Sequence, residues 1–408
     1  MLNKNNEREL CYLVTIDSIE PIEGKDRVEC ARVGGWTIMV RKGQFKPGDL
    51  GIYFEIDSKV PETEPFDFLA SKHYKIKTQR YKAGDGHFYS QGLLMHPADF
   101  DWKLTTEPSD GVAIVDNYDE AHRVDDESRF LTKTLGVVYA VVEDNKRKAK
   151  SVDKYAKMAQ RHGELFTRAP YRWLMRRDWG KKFLFIFYGK KKDKRGWPEW
   201  AKRTDEERIE NMTWILSDKA PRVVTEKIDG TSTTFTMKRG KFGRHEFYVC
   251  SRNVVFDKPE KECFYDTNVY TEMAEKYHIE QHLKDILDGY PRFDWVTIQG
   301  ETYGKGIQKN DYDLKEHKFA AFNLVTSDRG RWGTADMVEF LKLYEVPTVP
   351  VLNYYYELPD TVEELREYVH GAQSTINGKI KEGVVIRTQD GQGSFKCVDP
   401  EYLAKWHA

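Results

Sequence analysis

Short apolar and alternating runs, separated by turn residues, occupy the N-terminal quarter of the chain. Strand-forming residues cover 10–19, 28–33, 36–41 and 50–56, with glycine, proline or aspartate between them, and 90–97 supplies a late strand. Several short strands at this even spacing are typical of a closed β-barrel. The pattern therefore predicts a small OB-type barrel at this end of the chain.

A second strand-rich region begins at Val223, with a β-branched run that meets Asp229 and Gly230 and then resumes. This pattern predicts two strands joined by a tight turn. Lys227 lies within the run, at a position where an apolar side chain is easier to bury. A lysine in a partly desolvated slot has a lowered pKa and becomes an amine nucleophile near neutral pH. An edge strand that points Lys227 into water is the alternative interpretation.

The segments between these two regions are more charged. We expect a short helix at 125–131, a charged connector or solvated helix at 143–157, and a helix at 204–212 with an N-cap and an acidic first turn. Between 161 and 203 aromatic residues alternate with basic ones, and the apolar run 183–188 predicts a strand. The aromatic rings either stack on nucleic-acid bases or pack against a domain, and the pattern leaves both interpretations open.

Composition and charge limit the size of the protein and the nature of its surface. With 408 residues, of which 39% are hydrophobic, the chain can form two or three domains with real cores. Lys and Arg total 65 against 66 Asp and Glu, a net charge of -1, so no global basic field indicates nucleic acid. A nucleic-acid surface would have to be a local patch. The candidate phosphate contacts in the barrel region are Lys42, Lys59, Lys72, Lys75, Lys77, Arg80 and Lys82.

The five cysteines are scattered and form no C-x-x-C pair, which argues against a zinc ribbon and against a disulfide framework. The N-terminal residues lack the apolar segment of a signal peptide, and no run is long enough to span a membrane. We therefore expect a cytoplasmic monomer with no membrane partner.

Five further segments follow Lys227 in a fixed order. They are Ser251-Arg252-Asn253, Gln299-Gly300-Glu301-Thr302-Tyr303-Gly304, Phe319-Ala320-Ala321-Phe322-Asn323, Glu382-Gly383-Val384-Val385-Ile386-Arg387 and Ser394-Phe395-Lys396. Together with the Lys227 segment and the predicted barrel, this succession resembles the covalent nucleotidyltransferase superfamily of polynucleotide ligases and capping enzymes. Within that superfamily, the chain is most similar to the ATP-dependent RNA ligases that carry an OB-fold domain in front of the catalytic domain.

The resemblance implies an α+β fold in which an N-terminal OB-type β-barrel is followed by a nucleotidyltransferase domain of antiparallel sheets with flanking helices. On this basis, residues 1–140 form an OB-fold-like nucleic-acid-binding domain and residues 141–203 a charged and aromatic connector or insertion. Residues 204–408 form the nucleotidyltransferase domain, in which adenylylation takes place.

The resemblance also implies roles for single residues. Lys227 would attack the α-phosphorus of ATP and leave a lysyl-AMP phosphoramidate, Asp229 would orient Lys227 or a hydrated metal, and Lys396 would contact the α-phosphate. Glu382 and Asp229 would bind Mg²⁺ or Mn²⁺, because carboxylate oxygens are hard ligands. The residues implied in nucleotide binding are Arg208, Glu226, Ile228, Arg252, Asn253, Glu301, Phe322 and Lys396.

Two positions depart from the resembled pattern. Many DNA ligases have arginine where this chain has Ser232, and several relatives have a second lysine where this chain has Val398. The first departure leaves the contact to the ribose or the RNA end unassigned at that position. The second leaves Lys396 without a paired lysine.

The implied function is an ATP-dependent RNA ligase that joins RNA ends bearing a 3′-OH and a 5′-phosphate, including those of a nicked duplex. RNA is favoured over DNA because the resembled group places its OB domain first. The alternatives are a DNA ligase, a GTP-dependent capping-type nucleotidyltransferase, and a non-catalytic OB-fold RNA-binding protein.

Overall fold

Strands dominate the chain, and helices occur in blocks between them. The computed structural model describes residues 1–3, 7–100, 129–140, 155, 158, 163–188, 196–240, 244–256 and 268–406. The chain divides into two compact units, residues 1–137 with 197–408, and residues 138–196. The presence of both helices and antiparallel sheets confirms the predicted α+β class. The predicted helix at 125–131 and connector at 143–157 lie largely outside the described residues.

In chain order the strands are β1 (Cys11–Thr15), β2 (Ser18–Pro21), β3 (Val28–Val33), β4 (Trp36–Arg41), β5 (Leu50–Phe54), β6 (Ser58–Lys59), β7 (Gln79–Ala83), β8 (Gly86–Ser90), β9 (Leu93–Met95), β10 (Val138–Tyr139), β11 (Glu207–Arg208), β12 (Arg222–Lys227), β13 (Thr231–Arg239), β14 (His245–Ser251), β15 (Val255–Phe256), β16 (Trp295–Gly304), β17 (His317–Thr326), β18 (Gly330–Arg331), β19 (Val351–Tyr356), β20 (Gly383–Thr388) and β21 (Ser394–Val398).

The α-helices are α1 (Gly163–Phe166), α2 (Ala169–Met175), α3 (Asp178–Tyr188), α4 (Val269–Lys276), α5 (Ile279–Gly289), α6 (Thr334–Lys342), α7 (Val362–Val369) and α8 (Pro400–Trp406). Short 3₁₀ segments cover Asp67–Lys72, Pro97–Asp99, Ile209–Asn211 and Thr213–Ser217. No helix in the described part of the chain combines the length and the apolar character needed to cross a bilayer.

The first strands build two three-stranded antiparallel sheets, β1-β5-β9 and β2-β3-β4. The predicted strand at 10–19 is divided between these sheets. The Ile16 N–H donates to the Asp49 carbonyl beside β5, whereas the Asp17 N–H donates to the Arg32 carbonyl in β3, so the chain changes sheets at this point. The residues that fill the space between the sheets include Tyr12, Val14, Ile16, Val33, Trp36, Ile38, Val40, Tyr53 and Leu94, together with Val398 and Leu403 from the other end of the chain.

The C-terminal half contains a five-stranded sheet, β11-β21-β20-β12-β19, and a six-stranded sheet, β15-β14-β13-β16-β17-β18. Consecutive strands β12 and β13 belong to different sheets, so the predicted strand–turn–strand element is not a hairpin. The turn between them crosses from one sheet to the other. Gly230 in this turn lies so close to β16 that a Cβ atom would be 2.4 Å from the Thr302 carbonyl oxygen. This close backbone approach requires glycine.

One face of each of these sheets is apolar and covered by helices. Under α4, α5 and α6 the six-stranded sheet contributes Phe235, Ile298, Phe319 and Leu324 to one core. Under α7 the five-stranded sheet contributes Val224, Val384, Ile386, Phe395 and Cys397 to another. Because side chains alternate along a strand, the opposite faces carry the polar residues between these positions, such as Thr225 and Lys227 on β12 and Gln299 and Glu301 on β16.

The structure contradicts the predicted secondary structure of two segments. Residues 183–188 are helical, because Leu184 and Tyr188, four residues apart, both join the small core around Phe166. Residues 204–212 are not a helix: Glu207 and Arg208 form β11, which pairs in parallel with β21, and a 3₁₀ turn follows. Both side chains of β11 are buried, so tertiary pairing outweighs the local helix signal.

Asn211 connects the N-terminal barrel to the C-terminal sheets. Its Oδ1 accepts a hydrogen bond of 2.7 Å from Trp36 Nε1, and its Nδ2 lies 2.9 Å from both Glu55 Oε1 and Glu207 Oε1. Trp36 and Glu55 are almost fully buried in the barrel. The amide of Asn211 therefore satisfies buried polar groups that have no access to water.

We expect Asn211→Ala to destabilise the protein by about 1–3 kcal/mol, because buried donors and acceptors on Trp36 and Glu55 lose a partner. Urea unfolding followed by tryptophan fluorescence would measure this as a lower midpoint. The control is Asn353→Ala, since Asn353 is exposed and its side chain accepts a local bond of 2.8 Å from the Tyr355 N–H. Equal midpoints for the two variants would contradict the proposed bridging role.

Candidate active site

Lys227 ends β12 and lies directly opposite Gly383 at the start of β20. This pairing places its Nζ atom 2.6 Å from Glu382 Oε1, and both side chains are mostly buried. Burial lowers the pKa of Lys227, but the Glu382 carboxylate and the nearby Glu301 outweigh burial, so the pKa is raised. The predicted lowered pKa is therefore wrong for this arrangement. The amine is held as an ammonium by its carboxylate partner.

Three carboxylates surround this single ammonium. Burial raises the pKa of Glu301 to about 8, with Lys227 opposing the shift and Glu382 adding to it. The pKa of Asp229 is likewise raised, to about 7, by burial first and then by Glu382. Burial first, and the neighbouring Glu382 carboxylate second, disfavour ionisation of Glu301 and Asp229. Additional positive charge at this position would therefore be stabilised.

The carboxylate oxygens fit a divalent metal that takes few protein ligands. Glu382 Oε2 is buried and has no hydrogen-bond partner in the described part of the chain, although Oε1 is held by Lys227. Among the described residues, no three His, Cys, Asp or Glu side chains form a ready-made metal cluster. Mg²⁺ binds to one or two carboxylates and completes its shell with water and substrate phosphates. Glu382 and Asp229 offer such a set of one or two carboxylate ligands.

Asp229 is oriented by groups that the sequence did not indicate. The Tyr402 hydroxyl in α8 lies 3.0 Å from Asp229 Oδ2 and 2.5 Å from Asp311 Oδ2. The Asp229 N–H donates to the Tyr312 hydroxyl at 2.9 Å. These tyrosines come from distant parts of the chain, and no motif distinguishes them from core aromatics.

Lys396 and Arg208 are direct neighbours on the paired strands β21 and β11. Burial and the nearby positive charge of Arg8 lower the pKa of Lys396 to about 8. The Arg208 guanidinium is buried, with Nη2 3.5 Å from Asp57 Oδ2, and its Nη1 has no hydrogen-bond partner among the residues that the structure describes. Two buried cations side by side make a position suited to an anion.

The Asp205 carboxylate forms ion pairs with three cationic side chains. Its carboxylate lies 3.1 Å from Arg8 Nε, 2.8 Å from Arg252 Nη2 and 3.3 Å from Lys396 Nζ. Although burial opposes ionisation, Lys396 and Arg8 hold the pKa of Asp205 well below its usual range. Neither Asp205 nor Arg8 was predicted as a site residue, because only the tertiary structure brings residues so distant in sequence together.

Asn253, a predicted nucleotide contact, is exposed beside Arg252 in the turn before β15.

Phe322 occupies an irregular position in β17. Register with β16 shifts between Gln299, which faces Asn323, and Gly300, which faces Ala321, so Phe322 is the extra residue of a bulge. It is half-buried and packs beside Ile228 in a small apolar cluster. Bulges near active sites re-aim a side chain, and here the bulge presents an aromatic ring next to the Lys227 turn.

Glu226 has a different environment from the other predicted nucleotide contacts. Its buried carboxylate accepts hydrogen bonds from Ser374 Oγ at 2.5 Å, from the Thr375 N–H at 2.9 Å and from Thr375 Oγ1 at 2.7 Å. The side chain therefore anchors the loop before β20.

Among the candidate phosphate contacts in the barrel, Lys59 is buried and forms an ion pair with Glu62 at 2.9 Å.

Two segments of the chain match known protein families. Residues 220–407 match the RNA ligase family, and residues 10–95 match an OB-fold domain, which confirms the predicted barrel. A mutant of Naegleria gruberi RNA ligase solved with ATP and Mn has a TM-score of 0.70 at 23% identity, over 98% of this chain and 100% of that one.

The same organism's RNA ligase solved with PPi has a TM-score of 0.67 at 24% identity, over 98% of this chain and 99% of that one. A mutant solved with AMP and Mn gives the same values. At these identities the likeness is one of fold. A search of curated proteins gave no match. The chain is thus similar to the RNA ligase family over residues 220–407, and to an OB-fold domain over residues 10–95 in front of them.

Proposed function

We propose that the protein is an ATP-dependent RNA ligase that joins a 3′-OH end to a 5′-phosphate end through a lysyl-AMP intermediate. The observation that carries this proposal is the Lys227–Glu382 pair, 2.6 Å apart in the domain that matches the RNA ligase family. A buried lysine held beside carboxylates is suited to attack a phosphoryl group once its proton is lost. The relatives solved with ATP, AMP and PPi give further support.

In the first step, Lys227 Nζ attacks the α-phosphorus of ATP. A P–N bond forms, the bond from the α-phosphorus to the bridging oxygen breaks, and pyrophosphate leaves with that electron pair. The amine must first lose a proton, which the Glu382 carboxylate resists by raising its pKa. Movement of Glu382 away from Lys227 would remove the strongest influence that opposes burial and would lower that pKa.

Glu382 and Asp229 would hold Mg²⁺ or Mn²⁺, since their oxygens are hard ligands and one Glu382 oxygen lacks a partner. When bound, such an ion neutralises charge on the triphosphate. The relatives solved with Mn support this assignment. Lys396, Arg208 and Arg252 would contact phosphate oxygens, with Asp205 giving way to the substrate.

The remaining nucleotide contacts follow from position. Phe322 and Ile228 offer an apolar surface for the adenine ring, next to the backbone of Glu226. Glu301 and the exposed Asn253 would bond to ribose or phosphate groups. In the later steps, an RNA 5′-phosphate attacks the adenylate and releases Lys227, and a 3′-OH then attacks the adenylylated end and releases AMP.

We expect Lys227→Ala to reduce labelling of the protein by α-labelled ATP to background, because the nucleophilic nitrogen is gone. The measurement is a denaturing gel after incubation with Mn²⁺, and α-labelled GTP run in parallel should give no label. Lys219→Ala is the matched control, since Lys219 pairs with Asp360 at 2.7 Å outside the cleft. Label retained by Lys227→Ala would refute the assignment of the nucleophile.

A pH profile tests the role of Lys396. Its pKa of about 8 means that it is protonated below that pH and neutral above it. If the ammonium contacts the α-phosphate, the second-order rate of adenylylation should fall above about pH 8. Asp205→Asn removes a negative charge that favours the ammonium, so this alkaline limb should move to lower pH.

Lys396→Arg keeps its positive charge at any working pH, so the same limb should disappear in that variant. Single-turnover labelling over a range of pH values would measure all three proteins. An alkaline limb that is identical in the wild type and both variants would rule out Lys396 as its source.

A further inference from the structure

Helices α1–α3, in the unit formed by residues 138–196, have a small core of their own. Leu184 on α3 is buried with Phe166 of α1, and Tyr188 packs against the same ring. The hydroxyls of Tyr171 and Tyr188 lie 3.1 Å apart. The inner side of α3, which carries Leu184 and Tyr188, therefore accounts for the fold of the unit without the residues on its other side.

The outer side of α3 is also apolar, which the fold of the unit does not explain. Trp179, Phe183, Ile186 and Phe187 are 57%, 48%, 71% and 65% exposed, and they recur at helical spacing along one stripe. Trp173 on α2 is 50% exposed and meets the Trp179 ring edge-on at 6.0 Å. An exposed cluster of this size marks an interaction surface.

Basic side chains surround this aromatic stripe. Residues 168–188 contain six Lys or Arg and one acidic residue, Asp178, although the chain as a whole has a net charge of -1. The exposed cations are Arg168, Arg172, Arg176, Arg177 and Lys182. The Arg177 guanidinium lies 3.8 Å above the Trp173 ring. The patch is therefore both aromatic and locally cationic, a combination that complements a polyanion with exposed rings.

Single-stranded nucleic acid has both features, because its bases are free to stack and its phosphates are negative. A duplex hides its base faces, and an apolar protein partner would not require the excess of arginine. The match of residues 220–407 to the RNA ligase family favours RNA over DNA as the bound strand. We propose that α2 and α3 form an arm that binds single-stranded RNA, with Trp173, Trp179, Phe183 and Phe187 stacking on bases and the flanking arginines contacting phosphates.

The test compares full-length variants that keep the surface apolar but remove its flat rings. Trp179→Leu/Phe187→Leu should weaken binding of an unstructured, fluorescein-labelled RNA by about fivefold or more for each ring removed, as expected from about 1–3 kcal/mol per stacked base. Fluorescence anisotropy measures the Kd. Ile186→Ala is the matched control, because Ile186 is exposed on the same stripe but has no ring. It should bind RNA like the wild type.

A second variant tests the interaction with phosphates. Arg172→Gln/Arg176→Gln should reduce the slope of log Kd against log salt by about 0.7 for each phosphate that is no longer neutralised. Lysine adenylylation should be unchanged in all these variants. Because RNA binding is measured separately from adenylylation, a failure of the proposed ligase chemistry would not affect the binding result. Wild-type affinity in the double leucine variant would overturn the proposal. Equal weakening by Ile186→Ala would overturn it in favour of apolar docking of another protein or a membrane surface.

Discussion

The ion pair between Lys227 and Glu382 depends on the antiparallel pairing of β12 with β20, and the rest of the site is arranged around it. That pairing places Lys227 opposite Gly383, so the carboxylate one residue earlier meets the ammonium at 2.6 Å. The turn after Lys227 then carries the chain into the second sheet, with Gly230 pressed against β16. Because β16 contributes Glu301, both sheets contribute carboxyl groups to one small volume. The amine is neither exposed nor unpaired, and its ionisation depends on its carboxylate partner.

The N-terminal barrel belongs to the same compact unit as this site. Trp36 and Glu55 share the Asn211 amide, and Val398 and Leu403 complete the core of the barrel. Arg8 reaches Asp205, which also binds Lys396. The barrel thus helps to fix the charge balance around Lys396.

The errors in the sequence-based predictions have a common origin. Residues 204–212 carry helix signals, but parallel pairing of β11 with β21 and burial of Glu207 and Arg208 override them. Residues 183–188 form an uninterrupted apolar run, for which strand and helix periodicity cannot be distinguished. The lowered pKa expected for Lys227 considered burial alone, whereas a carboxylate partner reverses the shift. In each case the missing information was which distant group lies next to the residue.

The sequence by itself determined the α+β class, the barrel at the N-terminal end, the strand bounds at 28–33 and 36–41, and the order of segments that marks the ligase domain. These features are encoded locally, in side-chain alternation, turn residues and short motifs. Only the tertiary structure placed Arg8 beside Asp205, Tyr402 beside Asp229, and Phe322 on a bulge. Those relationships join residues that are far apart in the chain, and the ionisation of a buried group depends on every charge that surrounds it in space.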